Sequence, residues 1–175
     1  KNIKVLPELN LRLKKDREER DIFMQKNIGN IILNQDEKKA LDKVIKNFKE
    51  HEDAQKIVNE LDEVENSYYG KIDGVDVRVR PDGVKYDSHI LDLKTKADGS
   101  PRAFRNQAYN LGYHLQACFY CDALGYDPRN FRFLTIENKD PFNIQIYSMS
   151  DNMIEAGQFA WRSAFNLWKQ YKKDG

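Results

Sequence analysis

Soft metal ligands are scarce in this sequence, which holds two cysteines, Cys118 and Cys121, among 175 residues. A structural zinc or an iron–sulfur cluster takes four such ligands, and no second pair exists to complete one. The Cys-Phe-Tyr-Cys run is therefore read as two reduced thiols on a partly buried helix. Long apolar runs are missing too. Nothing approaches the roughly 20 residues that cross a bilayer, and the start carries no signal-peptide pattern, so no membrane association and a cytoplasmic location are expected. The first residue is Lys rather than Met, so an excised domain or an ordered remainder, with sequence missing upstream, is expected. There is also no excess of either charge. Twenty-nine basic residues face 28 acidic ones for a net charge of +1, so any affinity for nucleic acid must come from a local patch.

Hydrophobic residues at 40% and charged residues at 33% fit a packed, water-exposed globular domain, with no repeat or low-complexity tract. Residues 1–33 are expected to be a poorly patterned N-terminal segment of the same domain, with a short helix after the charged stretch Lys14 to Arg20 and an apolar Ile31-Ile-Leu33. Residues 34–175 are expected to carry the functional domain. Asn34 and Glu37 have capping-box spacing, and Leu41, Val44, Ile45 and Phe48 recur at helical period, which predicts a helix over 35–50. The stripe continues through His51, Ala54, Ile57, Val58 and Leu61, so the helix runs on or breaks briefly before ending near Glu63, with His51 on its buried side.

From Ser67 the period changes to two. Val75, Val77 and Val79 alternate with Asp76, Arg78 and Arg80, which predicts a strand ended by the turn Pro81-Asp-Gly83. Ile90 to Lys94 is expected to be its partner strand, with Tyr68 to Ile72 a third. One helix is predicted over 103–123, strands over 131–136 and 143–147, and a last amphipathic helix capped by Ser150 or Asp151.

Asp92 and Lys94, two apart on a strand, project from the same side, and a carboxylate beside an ammonium there is costly without a partner or a task. A hairpin would bring Asp82 next to Asp92. Two converging hard oxygens suit Mg²⁺ or Mn²⁺, with water and phosphate oxygens completing the shell. Each residue also has a plainer reading. Asp82 fits ordinary turn chemistry, Asp92 and Lys94 an exposed ion pair, and His51 a satisfied core group. On one helix Gln116 and Tyr120 share a face. Arg102 and Arg105 open the helix after the Lys94 strand, where they could meet a phosphate or form a solvated face. Tyr109, Tyr113 and Tyr120 are spaced as core residues.

Arg80-Pro81-Asp82, followed after nine residues by Asp92-Leu93-Lys94, resembles the PD-(D/E)XK nuclease signature. Gln116-Ala-Cys-Phe-Tyr120 resembles the Q-x-x-x-Y motif of the RecB-type branch, and His51 stands where that branch often has a histidine near the metal. The run from His51 onward is similar to RecE-type exodeoxyribonuclease VIII and its phage relatives. The resemblance implies an α/β (α+β) fold with a restriction-endonuclease-like core, a central mixed β-sheet flanked by helices. It also implies a 5′-to-3′ exonuclease on linear duplex DNA in recombination, a homo-oligomeric ring, and a single-strand annealing protein as partner. It assigns Asp82, Asp92, His51 and the Leu93 carbonyl to Mg²⁺, with Mn²⁺ as substitute, and Lys94, Gln116 and Tyr120 to catalysis. An endonuclease of the same fold would share these residues, and a catalytically silent DNA-binding or assembly module would be expected to lack some of them. A Cas4-like nuclease is disfavoured by the missing cysteine cluster.

Overall fold

The computed structural model describes residues 2–174. It divides into two compact units, Lys1–Asn47 and Phe48–Gly175. In the first, β1 (Ile3–Val5) and β2 (Ile31–Leu33) pair in parallel through α1 (Lys14–Lys26), and α2 (Gln35–Glu50) begins. The start of α2 is a reciprocal capping box. The Asn34 side chain accepts from Glu37 N–H and the Glu37 carboxylate accepts from Asn34 N–H, both at 2.8 Å. None of the described residues 2–47 is buried.

The second unit is built on a five-stranded mixed sheet. Its elements are α3 (Glu52–Asn59), β3 (Glu63–Val64), β4 (Tyr68–Ile72), β5 (Val75–Val79), β6 (Gly83–Lys85), β7 (His89–Lys96), α4 (Pro101–Asn110), α5 (Tyr113–Leu124), β8 (Phe131–Glu137), β9 (Ile144–Ser148) and α6 (Asp151–Asp174). The sheet runs β3-β6-β7-β8-β9, with β7 and β8 parallel and the other neighbours antiparallel. Parallel neighbours need a long crossover, and α4 and α5 supply it. Ile90, Phe131 and Phe133 pack with Phe104, Ala117 and Trp161 on one face. Leu91 and Leu134 pack with Ala54 of α3 and Ile144 on the other. Among the described residues no helix is long and apolar enough to cross a membrane.

Three expectations are corrected. Strand β5 does not partner β7. It forms a separate hairpin with β4, while the short β6 pairs with β7 through Gly83↔Leu91 and Val84↔Ile90. Pro81 and Asp82 thus end no hairpin turn, because Gly83 already begins β6. The helix predicted over 103–123 is two helices, since Gly112 at φ +70° takes a left-handed conformation that interrupts helical hydrogen bonding. The stripe after Asn34 takes the second of its two expected courses, a brief break, at His51, whose extended backbone caps α3.

Candidate active site

Strand β7 alternates its side chains, so Asp92, Lys94 and Lys96 share the face that carries Ile90 and looks onto α5. Asp92 is buried at 4% exposure, Lys94 half-buried and Lys96 buried. Lys94 Nζ lies 2.7 Å from Asp92 Oδ2 and donates to Gln116 Oε1 at 3.1 Å. Gln116 Nε2 in turn donates to Asp92 Oδ1 at 3.1 Å. One side-chain amide thus presents its oxygen to the cation and its nitrogen to the anion. The opposite amide orientation would set like partners against each other.

Asp82 is exposed at the entrance to β6, and its Oδ2 accepts from Leu93 N–H at 2.6 Å. The backbone beside Asp92 therefore holds the Asp82 carboxylate. The Asp82 peptide is strapped from the far side. Its carbonyl accepts from Glu65 N–H at 3.0 Å, and Arg80 grips Glu65 through the backbone oxygen at 3.0 Å and the carboxylate at 2.7 Å. Glu65 itself sits at φ +49°. Burial raises the Asp92 pKa above the ordinary carboxylate value, Lys94 and Gln116 oppose that shift, and the Asp82 charge adds to it.

The donor set fits a hard divalent cation. Asp92 Oδ2 is buried and, apart from its ion contact with Lys94, has no hydrogen bond, so it has capacity for a further positive charge. The exposed Asp82 supplies a second oxygen on the solvent side. Among the described residues no three His, Cys, Asp or Glu side chains converge into a ready metal cage. Mg²⁺ does not require one, because it keeps several waters and takes substrate phosphate oxygens.

The remaining candidates make other contacts. His51 is the N-cap of α3, with Nδ1 accepting from Ala54 N–H at 3.3 Å. A neutral imidazole that accepts at Nδ1 carries its proton on Nε2, so in this orientation the ring offers no free lone pair to a metal. Tyr120, one turn beyond Gln116, packs edge-on toward Phe131 with centroids 6.5 Å apart. Arg102 and Arg105 are exposed in the first turns of α4, whose N-cap is Ser100, and neither makes an ion pair among the described residues. Burial pushes both cysteine thiols up to about 12, in keeping with inert packing groups.

From the sequence Tyr113 reads as a core residue, and neither Lys96 nor the Glu65–Arg80 strap carries an assigned role. The signals for the first two were present: Lys96 continues the two-residue row from Asp92, and Tyr113 precedes Gln116 by three residues on one helix face.

A family described as a PDDEXK-like domain of unknown function (DUF3799) matches residues 7–174. Among solved structures, the "Putative exonuclease" from Eubacterium rectale superposes with a TM-score of 0.60 at 14% identity, over 90% of this chain and 63% of that one. This chain therefore spans less than two thirds of that protein's length, and the likeness is one of fold. A second structure, SSO0001, is more distant, with a TM-score of 0.36 at 12% identity over 85% and 67% of the two chains. No curated protein matches the sequence. With the family match covering nearly the whole sequence, the chain belongs to the PDDEXK-like domain family.

Proposed function

We propose that this chain is a divalent-metal-dependent deoxyribonuclease that degrades linear duplex DNA from its ends, 5′ to 3′, in recombination. The observation that carries the reading is the Gln116 bridge, which locks Lys94 against Asp92 on the strand where Leu93 N–H holds Asp82. The "exonuclease" in the name of the Eubacterium rectale protein points the same way. So does the RecE resemblance, from which the polarity, the ring and an annealing partner are inferred.

Asp82 and Asp92, with the Leu93 carbonyl, would hold Mg²⁺, for which Mn²⁺ can substitute. When bound, the cation supplies Lewis acidity toward the scissile phosphate. The protein's own work is positional and electrostatic. Lys94, steered by Gln116, orients the attacking water and offsets charge that develops on the phosphoryl oxygens. Arg102 and Arg105, exposed and without an ion pair among the described residues, contact phosphates farther along the strand. Tyr120 backs the helix that presents Gln116. His51 acts through the α3 cap, and it becomes a ligand only by giving up the hydrogen bond it accepts from Ala54 N–H.

The test is incubation of end-labelled linear duplex with the protein and Mg²⁺. Cleavage is expected, and Asp82→Asn or Asp92→Asn is expected to lower it by at least about a thousandfold while DNA binding survives better. Near-normal cleavage by either variant would remove that carboxylate from the site.

A further inference from the structure

Lys96 is a buried ammonium, 7% exposed, that makes no ion pair among the described residues. Its neighbour across the parallel ladder, Glu137, spends its carboxylate on Gly99 N–H at 2.9 Å and Asn143 N–H at 3.1 Å. A buried charge without a counter-charge is expensive, so its surroundings should explain it. What Lys96 meets is Tyr113, the first residue of α5. Its Nζ donates to the phenol oxygen and lies 4.2 Å from the ring centroid. The same ring carries a second cation, because Lys94 Nζ lies 4.5 Å from its centroid.

We propose that Tyr113 is a positioning residue for Lys94, its ring face fixing that ammonium while Lys96 fixes the ring. This rests on Lys94 acting as the catalytic lysine. Lys94 is a flexible chain ending in a compact charge, and Asp92 and Gln116 alone restrain it from two sides. The electron-rich face of Tyr113 closes a third side, and such contacts strengthen where water is excluded. Core packing does not account for the arrangement. Tyr113 does approach Phe104 and Phe133, with centroids 6.4 Å and 6.1 Å away, but a phenylalanine would fill that place. The hydroxyl is needed only by Lys96, and the two lysines converge on a ring that packing alone would leave uncharged.

Two measurements test this, one of them independent of nuclease activity. In protein labelled with ¹³C-lysine, free of metal and DNA, the ε-methylene protons of Lys94 are expected upfield of the exposed lysines because its ammonium lies against the Tyr113 ring, 4.5 Å from the centroid. Lys94→Ala assigns them. Tyr113→Leu should return them to the exposed-lysine position, whereas Tyr113→Phe, which keeps the ring but loses the hydroxyl that Lys96 holds, should return them only part of the way. In single-turnover cleavage at saturating DNA, Tyr113→Leu is expected to lose about tenfold and Tyr113→Phe about threefold, with DNA affinity changed less than about twofold. In a Lys94→Ala background the Tyr113→Leu loss should shrink to less than about twofold, because the residue acts through Lys94. Lys94 resonances indifferent to Tyr113→Leu would overturn the proposal, as would a tenfold loss that persists without Lys94. Should Tyr113→Leu fail to fold, Lys96→Met decides instead: Lys94 must move toward the exposed-lysine position, and an unmoved resonance rejects the clamp. A wild-type protein that leaves DNA intact refutes the nuclease reading alone, since the lysine spectra still decide the contact.

Discussion

Lys94 and Asp92 satisfy each other across 2.7 Å in a largely desolvated place, so removing either leaves the other exposed to the full cost of burial. The two removals should nevertheless differ in kind. Lys94→Ala leaves both carboxylates in place, and metal affinity measured by calorimetric titration is expected to change little. Its single-turnover rate is expected to fall by about two to three orders of magnitude, as for a lost transition-state stabiliser. A large loss of metal affinity with an unchanged chemical step would make Lys94 a structural residue. His51 offers a sharper discrimination, because asparagine can replace its cap but not its imidazole. His51→Asn is expected to keep both stability and Mn²⁺-supported cleavage near wild type, whereas His51→Ala loses about 1 kcal/mol of stability in thermal unfolding. If His51→Asn instead abolishes Mn²⁺-supported cleavage more than Mg²⁺-supported cleavage, the ring is a ligand.

At the scale of elements, the site depends on α5 lying against β7, and α6 holds α5 there. Gly157, in the interior of α6, makes that close approach possible. A Cβ at this position would sit well inside contact distance of the His114 carbonyl oxygen and 2.8 Å from Cys118 Sγ. Glycine in a helix interior costs about 1 kcal/mol relative to alanine, so its presence calls for such a reason. Gly157→Ala is accordingly expected to destabilise by about 2–3 kcal/mol in denaturant unfolding, despite the better helix propensity. A stabilised variant would show that α5 and α6 can separate without cost. The same elements show what the sequence could tell. The Asn34–Glu37 cap, the Val75–Val79 alternation and the α6 stripe were legible because each is set by local spacing. The row Asp92–Lys94 was legible for the same reason, and Gln116 through its motif. Strand β6 was not, because three residues cannot display a period of two. Nor was the β7–β8 pairing, which joins Ile90 to Phe131 across the α4–α5 crossover. Helix α5 buries residues on several sides, so apolar spacing ran through Gly112 without marking the break. Tyr113 was read as core because an aromatic at helical spacing gives no sign of the two ammonium groups that meet it.

For the whole molecule the question is how a chain of net charge +1 holds a polyanion. A broad basic face would be expected to leave a larger positive excess, and steering of DNA by the total field must be weak. Enclosure offers another route, in which a few cationic groups such as Arg102 and Arg105 line a channel made by several copies, and DNA is retained by topology as much as by charge. A closed ring admits DNA only at an end. Linear duplex should therefore be degraded progressively from its termini, covalently closed plasmid should be spared, and light scattering should report an oligomer. Linearising the plasmid with a restriction enzyme should restore its degradation, which excludes inhibition by the preparation. The same dependence predicts modest salt sensitivity of an already engaged complex and strong sensitivity of its loading, which a salt jump before or after mixing separates. Rapid nicking or linearisation of closed plasmid by the pure protein, abolished by Asp92→Asn, would reject the end-dependent reading in favour of an endonuclease while leaving the metal site as described.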